Sequence, residues 1–252
     1  MFFFDDFHGK KVLKSTLLVG CEHFFTTRDI ILHKGTRDDL SKSASDGVDF
    51  LLKNFNLNHV NLYRVCQTHS SNVVIADKDT HLYENTDGII LTEPDMITFL
   101  NFADCVPVIL YDEKLNIGSV VHAGWRGTAS KIVQIAIEKM MSLGSNPDNL
   151  SAAIGPSIGK CCFCVNEDVF LKITDGIEKL LSEEIYSFDK NSEKFYVDLK
   201  LVNKILIEQM FVKNIDVVGY CTSCMNDVFF SYRKENGNTA RHSAVLKLRY
   251  KL

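Results

Sequence analysis

The sequence predicts an α/β protein, an α+β sandwich in which helices cover a mixed sheet, as one compact domain over residues 1–252. Three observations lead there. Short apolar runs bounded by turn residues alternate with segments of helical period. Hydrophobic residues make up 46 % of the chain, enough for a sizeable core. No repeat, low-complexity stretch or Pro/Gly/Ser-rich linker divides it, and only four prolines are present.

In chain order, strands are expected at 11–18, 59–65, 72–76 and 97–102. The runs 106–111 and 116–121 are short, apolar and flanked by turn residues, as buried strands are. A helix is expected over 128–143, where Ile132, Ala136 and Met140 recur at a spacing of four beside Val133 and Ile137. Gly144 is its natural stop. A second helix is expected after Asn166, with Glu167 and Asp168 in the first turn, where the helix dipole favours acids. A third follows Asp198 and places Leu199, Val202, Leu206 and Met210 on one face. Late strands are expected at 216–219, 228–232 and 244–248.

The formal net charge of −4 argues against a nucleic-acid or anionic-membrane partner, because phosphate backbones need a clustered positive field. The apolar run Met1–Phe4 is too short for a signal-peptide core and is followed at once by Asp5 and Asp6. No stretch approaches the roughly 18 uncharged apolar residues of a membrane span. A cytoplasmic protein is therefore expected. Its eight cysteines (Cys21, Cys66, Cys105, Cys161, Cys162, Cys164, Cys221 and Cys224) are then free thiols or metal ligands rather than a disulfide scaffold.

Ligand-type residues end apolar strands in three places, which is where α/β sheets bind their ligands. These are Cys66-Gln67-Thr68-His69-Ser70-Ser71-Asn72, Asn101-Phe102-Ala103-Asp104-Cys105, and Val121-His122-Ala123-Gly124-Trp125-Arg126-Gly127-Thr128. His69, Cys105 and His122 form a candidate zinc triad. Imidazole and thiolate suit zinc, and three protein ligands leave a fourth position open. Spacing alone does not identify such a site. Hydrogen-bonded strand-end histidines and a small buried Cys105 are the structural alternative. The Gly124–Thr128 turn suits an anion such as phosphate, because glycines let backbone amides approach and Arg126 offers a fork of donors. A capping turn with a surface arginine is the alternative there. Arg28 is a second candidate anion contact, otherwise a solvated charge. Asp104 and Asp87 are candidate acids near the metal. Asp104 is the stronger candidate because it adjoins Cys105, whereas an acid beside a turn glycine, as in Asp87-Gly88, is more often structural. Cys161-Cys162-Phe163-Cys164 and Cys221-Thr222-Ser223-Cys224 invite a structural-zinc or redox reading, since CxxC with a second close pair is a zinc signal, but the first is CCxC and the two lie far apart in the chain, so buried or strand-end thiols are the preferred reading.

Taken together, these segments resemble the laccase-domain (YfiH-like) family. The resemblance rests on His23-Phe24-Phe25-Thr26-Thr27-Arg28, Gln67-Thr68-His69, Thr86-Asp87-Gly88-Ile89-Ile90-Leu91-Thr92, Ala103-Asp104-Cys105-Val106-Pro107-Val108 and Val121–Thr128. It continues through Ile154-Gly155-Pro156-Ser157-Ile158-Gly159-Lys160-Cys161-Cys162, Asp198-Leu199, Cys221-Thr222 and Phe229-Phe230-Ser231-Tyr232-Arg233. It implies one α/β domain, most simply a monomer, with zinc held by His69, Cys105 and His122. The implied activity is phosphorolysis of adenosine, inosine, guanosine and methylthioadenosine, with adenosine deamination at the same site. In this reading Cys105, His122 and Asp104 are catalytic, and Arg126, Arg28 and Gln67 bind substrate or phosphate. The chain departs from the family pattern at Phe163-Cys164, where Tyr-Glu is usual, and at Thr239-Ala240-Arg241, where Thr-Gly-Arg is usual.

Three other classes compete. The family's older label is a copper polyphenol oxidase, but multicopper oxidases use paired His-x-His motifs, and none of the eight histidines lie two apart. Copper is therefore disfavoured. A Cys–His hydrolase or deamidase would use Cys105 as nucleophile and His122 as base. A non-catalytic binding role would leave the pocket metal-free.

Overall fold

The computed structural model describes residues 1–32, 45–177, 181–237 and 239–250. The element order is β1 (Phe2–Asp6), β2 (Lys11–Ser15), β3 (Cys21–Thr26), α1 (Ser45–Asn54), β4 (Leu62–Val65), β5 (Val73–Ile75), β6 (Leu82–Tyr83), β7 (Gly88–Leu91), β8 (Ile97–Phe102), β9 (Val106–Asp112) and β10 (Ile117–Ala123). Then come α2 (Trp125–Ala129), α3 (Ile132–Ser142), β11 (Leu150–Ile154), β12 (Cys164–Val165), α4 (Glu167–Thr174), β13 (Tyr186–Asp189), β14 (Lys194–Val197), α5 (Leu199–Glu208), β15 (Asn214–Val217) and β16 (His242–Leu248). No helix among the described residues is long and apolar enough to cross a membrane.

Two mixed sheets stack face to face. One runs β1-β2-β3-β16-β8-β4-β6 and the other β15-β11-β9-β10-β7-β5. A small third sheet, β12-β14-β13, flanks them. Leu13, Phe25, Leu100, Phe102 and Leu246 from the first sheet meet Ile109, Val120 and Ala153 from the second in the central layer. On the outer face of the second sheet, Val108, Leu110, Val121 and Ile154 pack against Val133, Ile137 and Met140 of α3 and Val202 and Leu206 of α5. Phe24, Ile97, Phe99 and Val245 of the first sheet pack outward against Val48, Leu51 and Leu52 of α1. Alternate residues of β9 thus enter different layers, Val108 and Leu110 outward and Ile109 inward. That burial on both faces is why the strand reads as a continuous apolar run instead of an alternating one. The two sheets approach closely at Gly155, where a Cβ would stand 2.3 Å from the Phe25 ring.

The fold class agrees with the expectation, and several boundaries differ. The helix expected over 128–143 is two helices. It begins earlier, at Trp125, and breaks at Lys131, whose φ of 57° lies in the left-handed region. Gly144 does end α3, with φ 101°. Asp198 caps α5, its carboxylate accepting from the Lys200 and Leu201 amides. Residues 59–61 form a 3-10 turn before β4. Residues 228–232 are not a strand. The Val228 and Phe229 amides donate to the Met225 carbonyl, which closes a turn there. Their apolar character serves burial of Phe229 and Phe230, not a ladder.

Candidate metal centre

Two loops and one strand end converge on one side of the sandwich. The 66–72 loop follows β4, the turn at 103–105 carries the chain from β8 in one sheet to β9 in the other, and Gly124 ends β10. One side chain from each supplies a metal-type donor. His69, Cys105 and His122 present donor atoms that all lie within 4.8 Å of one another. Cys105 Sγ is 3.6 Å from His69 Nε2. Tetrahedral zinc, with bonds of about 2.3 Å to sulfur and about 2.0–2.1 Å to nitrogen, would set an S···N edge of about 3.5 Å, so the donors fit the ion.

Asp87 orients two of these ligands. It is fully buried, and its Oδ1 lies 2.7 Å from His122 Nδ1. That pairing leaves His122 Nε2 for a metal. The same oxygen accepts from the His69 amide, and Oδ2 accepts from the Thr68 and Ser70 amides and the Ser70 hydroxyl. These bonds hold His69 at a φ of 64°, in the left-handed region. Burial works against the Asp87 carboxylate, but the His122 ring and the Ser70 bonds hold it well below the usual range. Burial alone would raise the Cys105 thiol, yet the His122 and His69 rings draw it down to about 6. Burial alone would lower His122, yet Cys105 and Asp87 raise it to about 9.

A glycine is required beside the donors. A Cβ on Gly124 would stand 3.0 Å from Cys105 Sγ and 3.1 Å from the His69 ring. His69 also lines an open cleft of about 810 Å³ together with Ser70, Trp125, Arg126, Leu171 and Lys172. Arg126 is exposed to this cleft and stacks on Trp125, its Cζ 4.3 Å from the ring centroid. Because α2 has only five residues, the side chains of Arg126 and Lys172 supply the positive charge of the cleft more than the helix dipole does. Asp175, also on the cleft wall, adds one opposing charge.

Residues 25–249 match the family described as multi-copper polyphenol oxidoreductase laccase. The chain belongs to this family. Among relatives, the purine nucleoside phosphorylase YlmD of Bacillus subtilis is 31 % identical over 168 residues, which span 65 % of this chain and 59 % of that protein. A purine nucleoside phosphorylase of Clostridium acetobutylicum is 31 % identical over 80 % of this chain and 82 % of its own. Adenosine deaminase RL5, from an unknown prokaryotic organism, is 30 % identical over 69 % of this chain and 70 % of its own. Among solved structures, the hypothetical protein YfiH of Bacillus licheniformis superposes with a TM-score of 0.83 at 27 % identity, covering 91 % of this chain and 93 % of that one. YlmD from Geobacillus stearothermophilus also gives 0.83, at 24 % identity over 98 % and 99 % of the two chains, and bears on the fold alone.

The remaining candidates in this laccase-family chain are engaged in hydrogen bonds of their own. Gln67 pairs with the Asn101 backbone, donating to its carbonyl at 2.9 Å and accepting from its amide at 2.8 Å. Arg28 donates to the Asn226 carbonyl and to Glu235, and lies over the Phe230 ring. Asp104, with φ 89°, accepts from the Thr222 hydroxyl and the Arg233 amide, one on each oxygen. The orienting role of Asp87 was the main feature the sequence hid. An acid beside a turn glycine reads as local structure, and nothing nearby in sequence marks it as a partner of His122. Leu171 and Lys172 reach the cleft from α4, again with no local signal.

The structure also brings four of the other cysteines together. Cys161, Cys162, Cys221 and Cys224 gather into a second group of metal-type donors, with all sulfurs within 4.8 Å of one another.

Proposed function

We propose that this protein is a zinc-dependent purine nucleoside phosphorylase acting on adenosine, inosine, guanosine and methylthioadenosine, with adenosine deamination at the same centre. The observation that carries this reading is the convergence of His69, Cys105 and His122 on one point at the wall of a cleft that also holds Arg126. The names of the relatives support the reaction class.

Phosphorolysis joins phosphate to the sugar C1′ as the purine leaves with the bonding electrons, through an oxocarbenium-like state. Arg126 binds the phosphate through its planar fork. Trp125 and Leu171 give apolar walls for the nucleoside. His69, Cys105 and His122 hold the metal, and Asp87 fixes the His122 tautomer. Zinc bound there would supply Lewis-acid stabilisation of developing negative charge and activation of water for deamination. Asp104 acts as a positioning residue, because its two oxygens are spent on Thr222 and Arg233 and it fixes the turn that presents Cys105. Gln67 and Arg28 serve the same framework.

Zinc is favoured over copper because three donors beside an open cleft suit a catalytic ion with a free coordination position. A His₂Cys set also occurs in electron-transfer copper centres, where a weak axial ligand completes the site. Metal analysis with a dioxygen-uptake assay separates the two.

The test is product chromatography of adenosine and inosine incubated with and without phosphate. Phosphate-dependent release of free base and ribose 1-phosphate in equal amounts is expected, with both activities lost in Cys105→Ala and His122→Ala. Wild-type rates of both activities in those variants would overturn the shared centre. A second reading, a Cys–His hydrolase or deamidase, is favoured by one observation. The Cys105 sulfur and the His69 and His122 ring nitrogens lie within 4.8 Å of one another, and the rings lower the thiol while the sulfur raises His122, as in an activated cysteine nucleophile. Turnover that survives chelation would select it.

A further inference from the structure

We infer that Cys161, Cys162, Cys221 and Cys224 form a second metal site, a tetrathiolate that takes one zinc-class divalent ion in a structural role. The site is separate from the His69–Cys105–His122 centre and does not depend on the reaction assigned there.

The geometry is that of a mononuclear tetrahedral ion. Cys224 Sγ is 3.6 Å from both Cys161 Sγ and Cys162 Sγ, and all four sulfurs lie within 4.8 Å of one another. Zinc–sulfur bonds of about 2.3 Å set a tetrahedral S···S edge of about 3.8 Å. Disulfide sulfurs would instead be about 2.05 Å apart, and all four cysteines are free. Soft thiolates in a tetrahedral set select zinc over hard cations.

Local backbone structure builds the cage from two short segments. The Cys162 and Phe163 amides donate to the Gly159 carbonyl, a turn that turns out two adjacent thiols. The Met225 amide donates to the Cys221 carbonyl, which closes the Cys221-Thr222-Ser223-Cys224 turn and brings its two ends together. The segments are joined by a parallel bridge between Ser157 and Cys221 and by the Thr222 amide donating to the Ser157 carbonyl. Gly159 is needed between them, since a Cβ there would meet the Cys221 Cβ at 3.1 Å and Cys161 Sγ at 3.4 Å. Its amide donates to Cys221 Sγ at 3.1 Å, the outer hydrogen bond that a metal-bound thiolate accepts.

The surrounding charge fits the ion. Four thiolates and one divalent ion carry a net −2. Lys200, 4 % exposed, donates to the Tyr220 carbonyl next to Cys221, and Arg233 donates to the Cys162 carbonyl and to Cys164. These two cations sit where that charge would be. Thr222 and Arg233 are also the partners of Asp104, so an ion here pins the segment that fixes the Cys105 turn.

The test is metal analysis of protein purified under reducing conditions without chelator, with cobalt substitution and mass-spectrometric mapping of alkylated thiols. The expected result is two zinc ions per chain. Cys224→Ser and Cys162→Ser should each retain one, and His122→Ala should retain the other. Cobalt-loaded His122→Ala should show the intense thiolate charge-transfer bands of a tetrathiolate ion. In wild-type protein the four cysteines should resist alkylation until zinc is removed, a readout that stands even if the variants fail to fold. One zinc per chain, lost in His122→Ala, with the four cysteines alkylated as fast as an exposed free thiol, would overturn the inference. So would a disulfide among them in the freshly purified reduced protein.

Discussion

Asp87 and His122 are joined twice. The carboxylate meets the imidazole Nδ1 at 2.7 Å, and the His122 amide donates to the Asp87 carbonyl at 2.7 Å. Because the same carboxylate holds the His69 amide, one buried acid sets the aim of two of the three donors. Asp87→Asn keeps the shape but removes the charge that fixes the imidazole tautomer. We expect zinc affinity to fall about 10- to 100-fold, measured by chelator competition. Unchanged affinity would show that the pair only supports the fold.

Gly124→Ala should loosen the centre through sterics alone. Its φ of −65° is open to alanine, but the new methyl would press on Cys105 Sγ and the His69 ring. The expected outcome is lower zinc occupancy and lower turnover with little change in thermal unfolding. A variant that binds zinc as the wild type does would place the donors further apart than described.

Arg126→Ala should act on phosphate and not on metal. With a two-donor contact removed, KM for phosphate should rise about 10- to 100-fold, the equivalent of about 1.5–3 kcal/mol for a charged hydrogen bond. Zinc content should stay constant. A selective loss of nucleoside affinity instead would move Arg126 to the sugar or base.

Acid should destabilise the fold through two neutral histidines. Burial lowers His23 and His242 to about 4, from 6.5 in the unfolded chain. His23 accepts a hydrogen bond from the Ser15 amide, and His242 donates to the Pro156 carbonyl. Because the unfolded state takes the proton first, their stabilisation is complete above pH 6.5 and is lost as pH falls towards 4. Each accounts for roughly 3 kcal/mol. Denaturant unfolding between pH 7 and 4 should show this fall, and His23→Gln should flatten it. An unchanged slope would mean that His23 titrates normally in the folded protein.

The sequence revealed the parts of this molecule whose causes are local. The 106–111 and 116–121 runs became β9 and β10, and Asp198 caps α5, because burial on both faces and side-chain capping leave marks at the positions themselves. The break at Lys131 was hidden, since the apolar face continues through it. The Asp87–His122 pair was hidden too, and the four cysteines carried a zinc signal that their CCxC spacing and wide separation argued against. Their members are far apart in the chain, and pairing within the second sheet brings them together, β7 with β10 for Asp87 and His122, and β11 with β15, continued by the Ser157–Cys221 bridge, for the cysteines. His69, Cys105 and His122 are legible as a candidate triad at strand ends, while the distances between their donor atoms are set only by the fold. Val228–Tyr232 misled because apolar residues mark burial whether or not a strand carries them.

If one metal at His69, Cys105 and His122 does the chemistry, removing a single ligand removes that metal and the turnover together. The most direct measurement is the zinc content of wild-type and His122→Ala protein by inductively coupled plasma mass spectrometry, taken with phosphate-dependent release of hypoxanthine from inosine on the same samples. His122→Ala is expected to carry one zinc fewer per chain, keep its fold and release no base. Equal zinc in the two proteins, with base released at the same rate, would contradict it.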